Sequence, residues 1–535
     1  MTQRHRTGAA AGGLAAALTA LALLAGGCTG TGGGVRGTPG AAGLRDPYFP
    51  RLGNGGYDVR HYALDLAYDP ATGRLSGTAA ITARATQDLS AFNLDLAGLG
   101  VGTTSVDGAP AAFNRAGNEL TIRPREEIRK GAEFRAVVVY AGVPEPVVDA
   151  DGSREGWLRT ADGAVAVGEP VGSMTWFPGN HHPSDKAAYD ITVTVPAGLE
   201  ALSNGVRTAR RTAPGGHVTS VWHVPEPMAS YLATVVIGHY TTDPATPTDP
   251  ATPLTPPVPR APTPRTGSPS PTGSPSPTGP VTPTARTGPT GTPSPTGPTA
   301  PTGPPAPTGS PAPTVSPRLL TAAERSLAAS TAGLRGEVAA VLGRQARRFG
   351  PYPFSAAGAI VTAGDTLGYA LETQTRPVFP AAAFDRRTLV HELAHQWFGN
   401  SVTPATWGDL WLSEGFATYA EWLYAEETEH VPARTRFDEA FAQDANWAFP
   451  PARPPAAAHL FDAPVYQRGA MVLYKLRQTV GDRVFDEILR GWPTKYRYGN
   501  ATTADFTEYA ESVAGRDLGP LWKVWLYGDG RPDSP

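Results

Sequence analysis

The stretch from residue 241 to residue 317 is built almost wholly from Pro, Thr, Gly and Ser. No other feature of the 535-residue chain limits its folding as strongly. With so few apolar side chains, the tract has nothing to set against the entropy of ordering, so disorder with polyproline-II character is expected. Gly267, Gly273 and Gly279 share a six-residue period, as do Gly291, Gly297, Gly303 and Gly309. Collagen needs glycine at every third position, so that fold is excluded. An O-glycosylated or partner-binding stalk and a passive insertion both fit the composition. In either case the tract divides the chain into two globular regions, about 43–240 and 318–535. With 40% hydrophobic residues overall, the chain can bury a sizeable core. A net charge of −3 without a basic stripe speaks against nucleic acid as a partner.

Residues 1–28 have a different character. Arg4 and Arg6 precede an apolar run from Ala9 to Ala25, followed by Gly26, Gly27 and Cys28. This is the pattern of an export signal peptide, too short with such flanks for a membrane span. Cys28 resembles the lipid-modified cysteine of bacterial lipoproteins, and the Thr/Gly-rich residues 29–42 would serve as a tether. The expectation is an exported chain, lipid-anchored on the extracellular face of the cell membrane. Cleavage of a plain signal peptide, giving a secreted chain, is the alternative. Cys28 is the only cysteine, so no intramolecular disulfide can form. The oligomeric state leaves no trace in the sequence.

The first globular region reads as strands. Tyr62, Leu64, Leu66 and Tyr68 alternate with their neighbours, and DLSAFNLDL repeats that period at Phe92, Leu94 and Leu96. FRAVVVY, YDITVTVP and YLATVVIGHY are β-branched runs bounded by Gly or Pro, which suggests an antiparallel β domain over 43–240. The second region is mainly helical in pattern, with segments around 321–349, 387–398, 412–427, 466–480 and 503–514.

Within the second region stands HELAHQWFGN, residues 391–400. On a helix His391 and His395 lie one turn apart on the same face, so both imidazoles can reach one metal ion. Eighteen residues separate His395 from Glu414 in WLSEGFATYAEWL. Two imidazoles and one carboxylate make a catalytic rather than a structural zinc set, because a fourth position stays open for water. Glu392 is offset around the helix from both histidines. Its chemistry suits a general base that takes a proton from the water and hands it to a leaving amine.

HELAHQWFGNSVTPATWGDLWLSEGFATYAEWL resembles the zinc segment of the aminopeptidase N family of zinc metallopeptidases, within the gluzincins. The resemblance spans both globular regions and fails only in the signal and the Pro/Thr tract. It implies an N-terminal antiparallel β domain (43–240) packed on a thermolysin-like, mainly helical zinc peptidase domain (318–535), with one Zn2+ per chain. VYQRGAMVLY is similar to the family's Tyr-x-Lys/Arg-Gly segment, which implies that Tyr466 stabilises the oxyanion of the tetrahedral intermediate. TLGYALETQTRP falls where the family has Gly-Ala-Met-Glu-Asn. Ala370 and Glu372 match that motif, while Tyr369, Leu371 and Thr373 depart from it. The family glutamate holds the substrate's α-ammonium, a role that would pass to Glu372. VGEPVGSMTWFPGNHHPSDKAAYDI resembles the stretch around the family's Gln-x-Glu signature, where Glu169 matches and Val167 replaces the glutamine. His181 and His182 in that stretch read as loop histidines rather than metal ligands. If Glu169 and Glu372 share a site, the two regions must pack together and the tract must loop out, which costs little in closure entropy. The chain ends at LWKVWLYGDGRP, similar to the close of the catalytic domain, which implies a less enclosed cleft.

The resemblance implies an aminopeptidase acting on peptides with a free N-terminus. The altered residues Val167, Tyr369 and Thr373 keep open a zinc endopeptidase or broader amide hydrolase. An inert surface-binding lipoprotein on the same scaffold is the third reading, against which Glu392 and Tyr466 speak.

Overall fold

The structure, a computed structural model, describes residues 36–149, 152–213, 215–244, 316–364 and 366–535. The expected export signal, Cys28, residues 29–35 of the expected tether and residues 245–315 of the tract lie outside the described residues. Among those described, no helix is long and apolar enough to cross a membrane.

The alternation at Tyr62, Leu64, Leu66 and Tyr68 becomes the inward face of the strand Tyr57–Asp69, with all four side chains buried. This strand sits in the middle of an eight-stranded sheet. It pairs antiparallel with Arg74–Ala85 on one side and parallel with Lys186–Val195 on the other. The parallel join is a local departure from the antiparallel pattern. A parallel pair needs a long crossover, which the residues between these two strands supply. A second sheet pairs Leu89–Asp95 with Glu119–Arg123 and buries Phe92 and Leu94. A third runs antiparallel through Arg154–Arg159, Ala164–Val167, Val235–Gly238 and Glu200–Ser203. All four residues of Ala164–Val167 are buried, so this strand is covered on both faces.

The second region carries the helices Ala328–Gly336, Val338–Phe349, Arg386–Ala394, Trp411–Thr428, Gly469–Val480 and Thr503–Ala514. Ala433–Ala442 and Asp482–Lys495 add two that periodicity did not reveal. The segment expected to be helical from 321 instead begins in a strand, Arg318–Glu324. That strand pairs parallel with Ala356–Thr362 and antiparallel with Tyr240–Pro244, and Val378–Pro380 completes the sheet. Residues 241–244, placed in the tract on composition, therefore belong to a strand. Polar TTDP is held there by its ladder to Arg318–Glu324, from Tyr240 opposite Glu324 to Pro244 opposite Leu320. The same ladder brings the two ends of the tract side by side.

The described residues form one compact unit, and hydrogen bonds tie the two regions together. The half-buried Lys186, from the β domain, donates through Nζ to the carbonyls of Asn400 (2.9 Å), Ser401 (3.0 Å) and Gly499 (3.3 Å). Asn204 Nδ2 donates to the Gln374 carbonyl at 2.7 Å, and Arg376 Nη1 to the Ser203 carbonyl at 2.8 Å. Arg376 also lies over the Trp222 ring, 5.0 Å from its centroid. These contacts put the end of the third sheet against the segment 369–376. Glu169 and Glu372 meet there.

Candidate active site

The helix Arg386–Ala394 starts where the Asp385 carboxylate accepts from the Thr388 N–H at 2.9 Å. Leu389, Val390 and Leu393 anchor it in the core. Its opposite face brings His391 and His395 together, ring centroids 4.8 Å apart. The facing helix Trp411–Thr428 follows a Thr406–Asp409 capping box, and Asp409 also accepts from Thr503 N–H at 2.8 Å. Glu414 thus sits in a first turn that is fixed from two sides. Its Oε2 lies 3.2 Å from His391 Nε2 and 3.5 Å from His395 Nε2. Tetrahedral zinc at about 2.0–2.1 Å requires neighbouring donors about 3.3–3.4 Å apart, so this set fits the ion. The other ring nitrogens are already engaged. His391 Nδ1 faces Glu421 Oε1 at 2.7 Å, and His395 Nδ1 faces the Phe398 carbonyl at 3.0 Å and Ser413 Oγ at 2.9 Å. With Nδ1–H donating to those acceptors, each Nε2 presents its lone pair toward Glu414, as a metal ligand must.

Electrostatics points the same way. Burial works to raise the Glu414 carboxyl, yet the imidazoles of His395 and His391 hold it down to about 2. Burial likewise opposes a charge on His395, but Glu414 and Glu372 lift it to about 9. An ionised carboxylate facing imidazoles of raised proton affinity favours positive charge between them, and zinc would take the place of the imidazole protons.

Glu392 is buried beside the set, and burial pushes its carboxyl up to about 7, against the pull of His391 and His395. Tyr466 lies in a π-helical turn, Pro464–Arg468, ahead of the helix Gly469–Val480. Its ring is nearly parallel to that of His391, with centroids 6.1 Å apart. Burial, then the charges of Glu414, Glu169 and Glu372, raise the phenol well above its ordinary value, so it remains a donor.

Glu169 and Glu372 do share the site. One oxygen of each lies within 4.8 Å of the other and of Glu414. Both residues are buried, and Oε1 of each has no hydrogen-bond partner among the described residues. Burial first, then mutual repulsion and Glu414, raise the Glu169 carboxyl well above its ordinary value. Burial and Glu414 raise that of Glu372. Two desolvated carboxyls with free oxygens form a socket for a cation.

The departures from the family motif have visible consequences. Val167 is fully buried in its strand and offers no polar atom at the position of the family glutamine. Tyr369 donates to the Arg154 carbonyl at 3.4 Å. Thr373 Oγ1 donates to the Arg376 carbonyl at 2.6 Å, closing the turn behind Glu372. Thr375 adopts a φ of 72°, which is strained for a β-branched residue. Gln396 Oε1 holds its N–H at 2.8 Å, and its Oγ1 accepts from Gly205 N–H at 2.8 Å. Gln396 Nε2 and Asn400 Nδ2 both donate to the Glu372 carbonyl, at 3.1 and 2.7 Å. HELAHQWFGN therefore supplies two donors of the metal set and, through its Gln and Asn, holds the turn that carries Glu372.

His181 and His182 stand outside the metal set. His181 Nδ1 faces Ser230 Oγ at 3.0 Å and its Nε2 faces the Phe177 carbonyl at 2.9 Å. His182 lies between Ser184 and Asp46. Sequence reasoning missed Glu421, Ser413, Gln396 and Asn400. Of these, Glu421 alone left a readable signal, lying seven residues beyond Glu414 on the same helix face.

Residues 59–232 match the model of the peptidase M1 N-terminal domain, and residues 383–525 match that of the peptidase family M1 domain. The chain belongs to peptidase family M1. It is 34% identical over 164 residues to aminopeptidase N of Streptomyces lividans, covering 27% of this chain and 19% of that protein. Against aminopeptidase N of Lactococcus lactis the identity is 32% over 157 residues, 27% of this chain and 18% of that one. The match thus spans about a fifth of the length of these curated relatives. An M1 zinc metallopeptidase from Deinococcus radiodurans superposes with a TM-score of 0.75 at 28% identity, covering 92% of this chain and 98% of that one. A mutant of that M1 metallopeptidase has been solved bound to a Tyr-Ser-Ala substrate, with 27% identity to this M1 chain over 92% of it and 99% of that one, and the same TM-score of 0.75.

Proposed function

We propose that this M1 protein is a zinc-dependent aminopeptidase that removes N-terminal residues from peptides. The observation that carries this reading is the socket of Glu169 and Glu372, two buried carboxyls with unpartnered oxygens beside the His391–His395–Glu414 set. A substrate α-ammonium would occupy that socket and ionise both carboxyls, at a distance from the zinc ligands that suits cleavage of the first peptide bond. Zinc on His391, His395 and Glu414, when bound, polarises the scissile carbonyl and acidifies its water. Glu392, with its affinity for protons raised to about 7, accepts a proton and passes it to the leaving amine. The protonated phenol of Tyr466 donates to the oxygen on which negative charge develops.

Val167 and Tyr369 alter the surroundings of the socket and favour the second reading, a zinc endopeptidase or broader amide hydrolase. One assay separates the two. Release of a reporter amine from unblocked aminoacyl substrates, and not from their N-acetylated counterparts, is expected; equal cleavage of both would sink the exopeptidase reading. The lipid anchor at Cys28 is also a proposal, resting on sequence alone. Incorporation of labelled palmitate that disappears in Cys28→Ala is the expected result.

A further inference from the structure

Two cavities open from the site in succession. The inner one, of about 330 Å3, is bordered by Arg387, His391, Glu392, Glu421, Tyr466 and Gln467. The outer one, of about 450 Å3, shares Arg387, Glu421 and Gln467 with it and continues to Arg436, Gln443 and Asn446. The common walls make one groove. Neither Glu169 nor Glu372 borders it, so it leads away from the ammonium socket. On the aminopeptidase reading, from which this inference starts, the groove receives the part of the peptide beyond the scissile bond.

Most charges along the groove are already paired. Glu421 uses Oε1 on His391 Nδ1 and Oε2 on Arg387 Nε. Arg386 holds Glu337 through two hydrogen bonds, of 2.9 and 2.6 Å, and Arg436 holds Glu439 at 3.0 Å. Arg387 differs. Its Nε edge faces Glu421, while its two terminal nitrogens make no hydrogen bond among the described residues, and its side chain is 69% exposed. Guanidinium engaged along one edge keeps the other free for a carboxylate fork.

Arg387 stands one helical turn before His391, about 6 Å along the axis. An extended peptide advances about 3.3–3.6 Å per residue, so the carboxylate of the second residue past the cut comes within reach of the guanidinium. Farther out, Glu429 caps the C-terminus of the helix that carries Glu421, eight residues and about 12 Å along the axis, and makes no ion pair among the described residues. A carboxylate carried that far would meet like charge.

We propose that Arg387 is a carboxylate anchor in this groove, and that the preferred substrates are tripeptides whose free C-terminal carboxylate it binds. An acidic side chain at the same place supplies the same chemistry. The test uses the zinc-loaded full chain and three peptides with free N-termini: Leu-Ala-Ala, its C-terminal amide, and the amide of Leu-Ala-Glu. The free acid is expected to exceed the plain amide in kcat/KM by about ten- to a hundred-fold, chiefly through KM. In Arg387→Gln this ratio should collapse to within about two-fold, with Arg387→Lys between the two. Because Arg387 also touches Glu421, the acid-to-amide ratio and not the absolute rate is the readout. Rescue of the amide by its Glu side chain would place the carboxylate on either source; no rescue would restrict the anchor to the chain terminus. A ratio near one in the native chain, or one that survives Arg387→Gln, overturns the proposal. Calorimetric binding of the free acid and the plain amide to Glu392→Gln repeats the comparison without turnover. Should no unblocked peptide be cleaved, the aminopeptidase reading fails, while the binding comparison still decides the anchor.

Discussion

Glu392 is the proposed proton acceptor and Glu421 the partner of His391 Nδ1, so their substitutions should separate chemistry from metal retention. Glu392→Gln removes the proton acceptor and leaves the ligands intact. Its kcat should drop by at least about 10² to 10⁴, with zinc content by metal analysis unchanged. Near-normal turnover would rule out the assigned base. Glu421→Gln instead weakens the acceptor of His391 Nδ1–H, 2.7 Å away. Zinc affinity should weaken by about 10- to 100-fold, as competition with a chelator would show. The pairing of His391 with His395 could be read from HELAH, because helix periodicity projects a four-residue spacing onto one face; Glu414, on a separate helix, was a candidate from its spacing alone, and packing brings it to them. Gln396 and Asn400 could not be read in this way, because their partner is the Glu372 carbonyl, brought to them by a separate turn.

Two helices must approach closely to bring Glu414 and Tyr466 to one site. They cross where Gly415 meets Gly469: a Cβ built on Gly415 would lie 2.9 Å from Gly469 backbone atoms. Gly415→Ala therefore has to push apart the helix that holds Glu414 and the one that follows Tyr466. A stability loss of about 1–3 kcal/mol is expected, measured by denaturant unfolding, together with reduced kcat. If stability and kcat both stayed at the native level, close packing here would not set the site. How well sequence revealed the elements also follows from local physics. Thr503–Ala514 agrees with its periodic segment at both ends, and its Thr502–Asp505 capping box fixes the start. Arg318–Glu324 was hidden because RLLTAAE is rich in good helix formers and, lying inside a mixed sheet, shows no strict alternation.

The whole molecule buries several carboxyls in its β domain that are not part of the zinc set. Burial, aided by the Asp58 charge, pushes Asp185 up to about 8, and burial pushes Asp95 up to about 7. An Asp carboxyl in the unfolded chain titrates near 4, so between pH 4 and 8 the native state binds more protons than the unfolded one. Stability contributed by these groups is full below about pH 4 and falls as pH rises through their folded values. The zinc-loaded protein should therefore melt at a lower temperature at pH 8 than at pH 5.5. Asp185→Asn should flatten that dependence, by an amount on the order of a few kcal/mol. A dependence unchanged in the variant would mean that Asp185 is ionised in the fold.

Spacing along one helix and the recurrence of inward-facing residues were enough to pair His391 with His395, to single out Glu392 beside them and to give the β-then-helical order of the chain. Both are local properties, set by backbone periods of 3.6 and 2 residues. The proposed amine socket is of another kind. Glu169 and Glu372 lie on separate regions either side of the Pro/Thr tract, and they meet because Lys186, Asn204 and Arg376 lock those regions together. The Arg387 groove is likewise formed by helices that are apart in sequence. Such convergence depends on packing between elements, which no period within either one records.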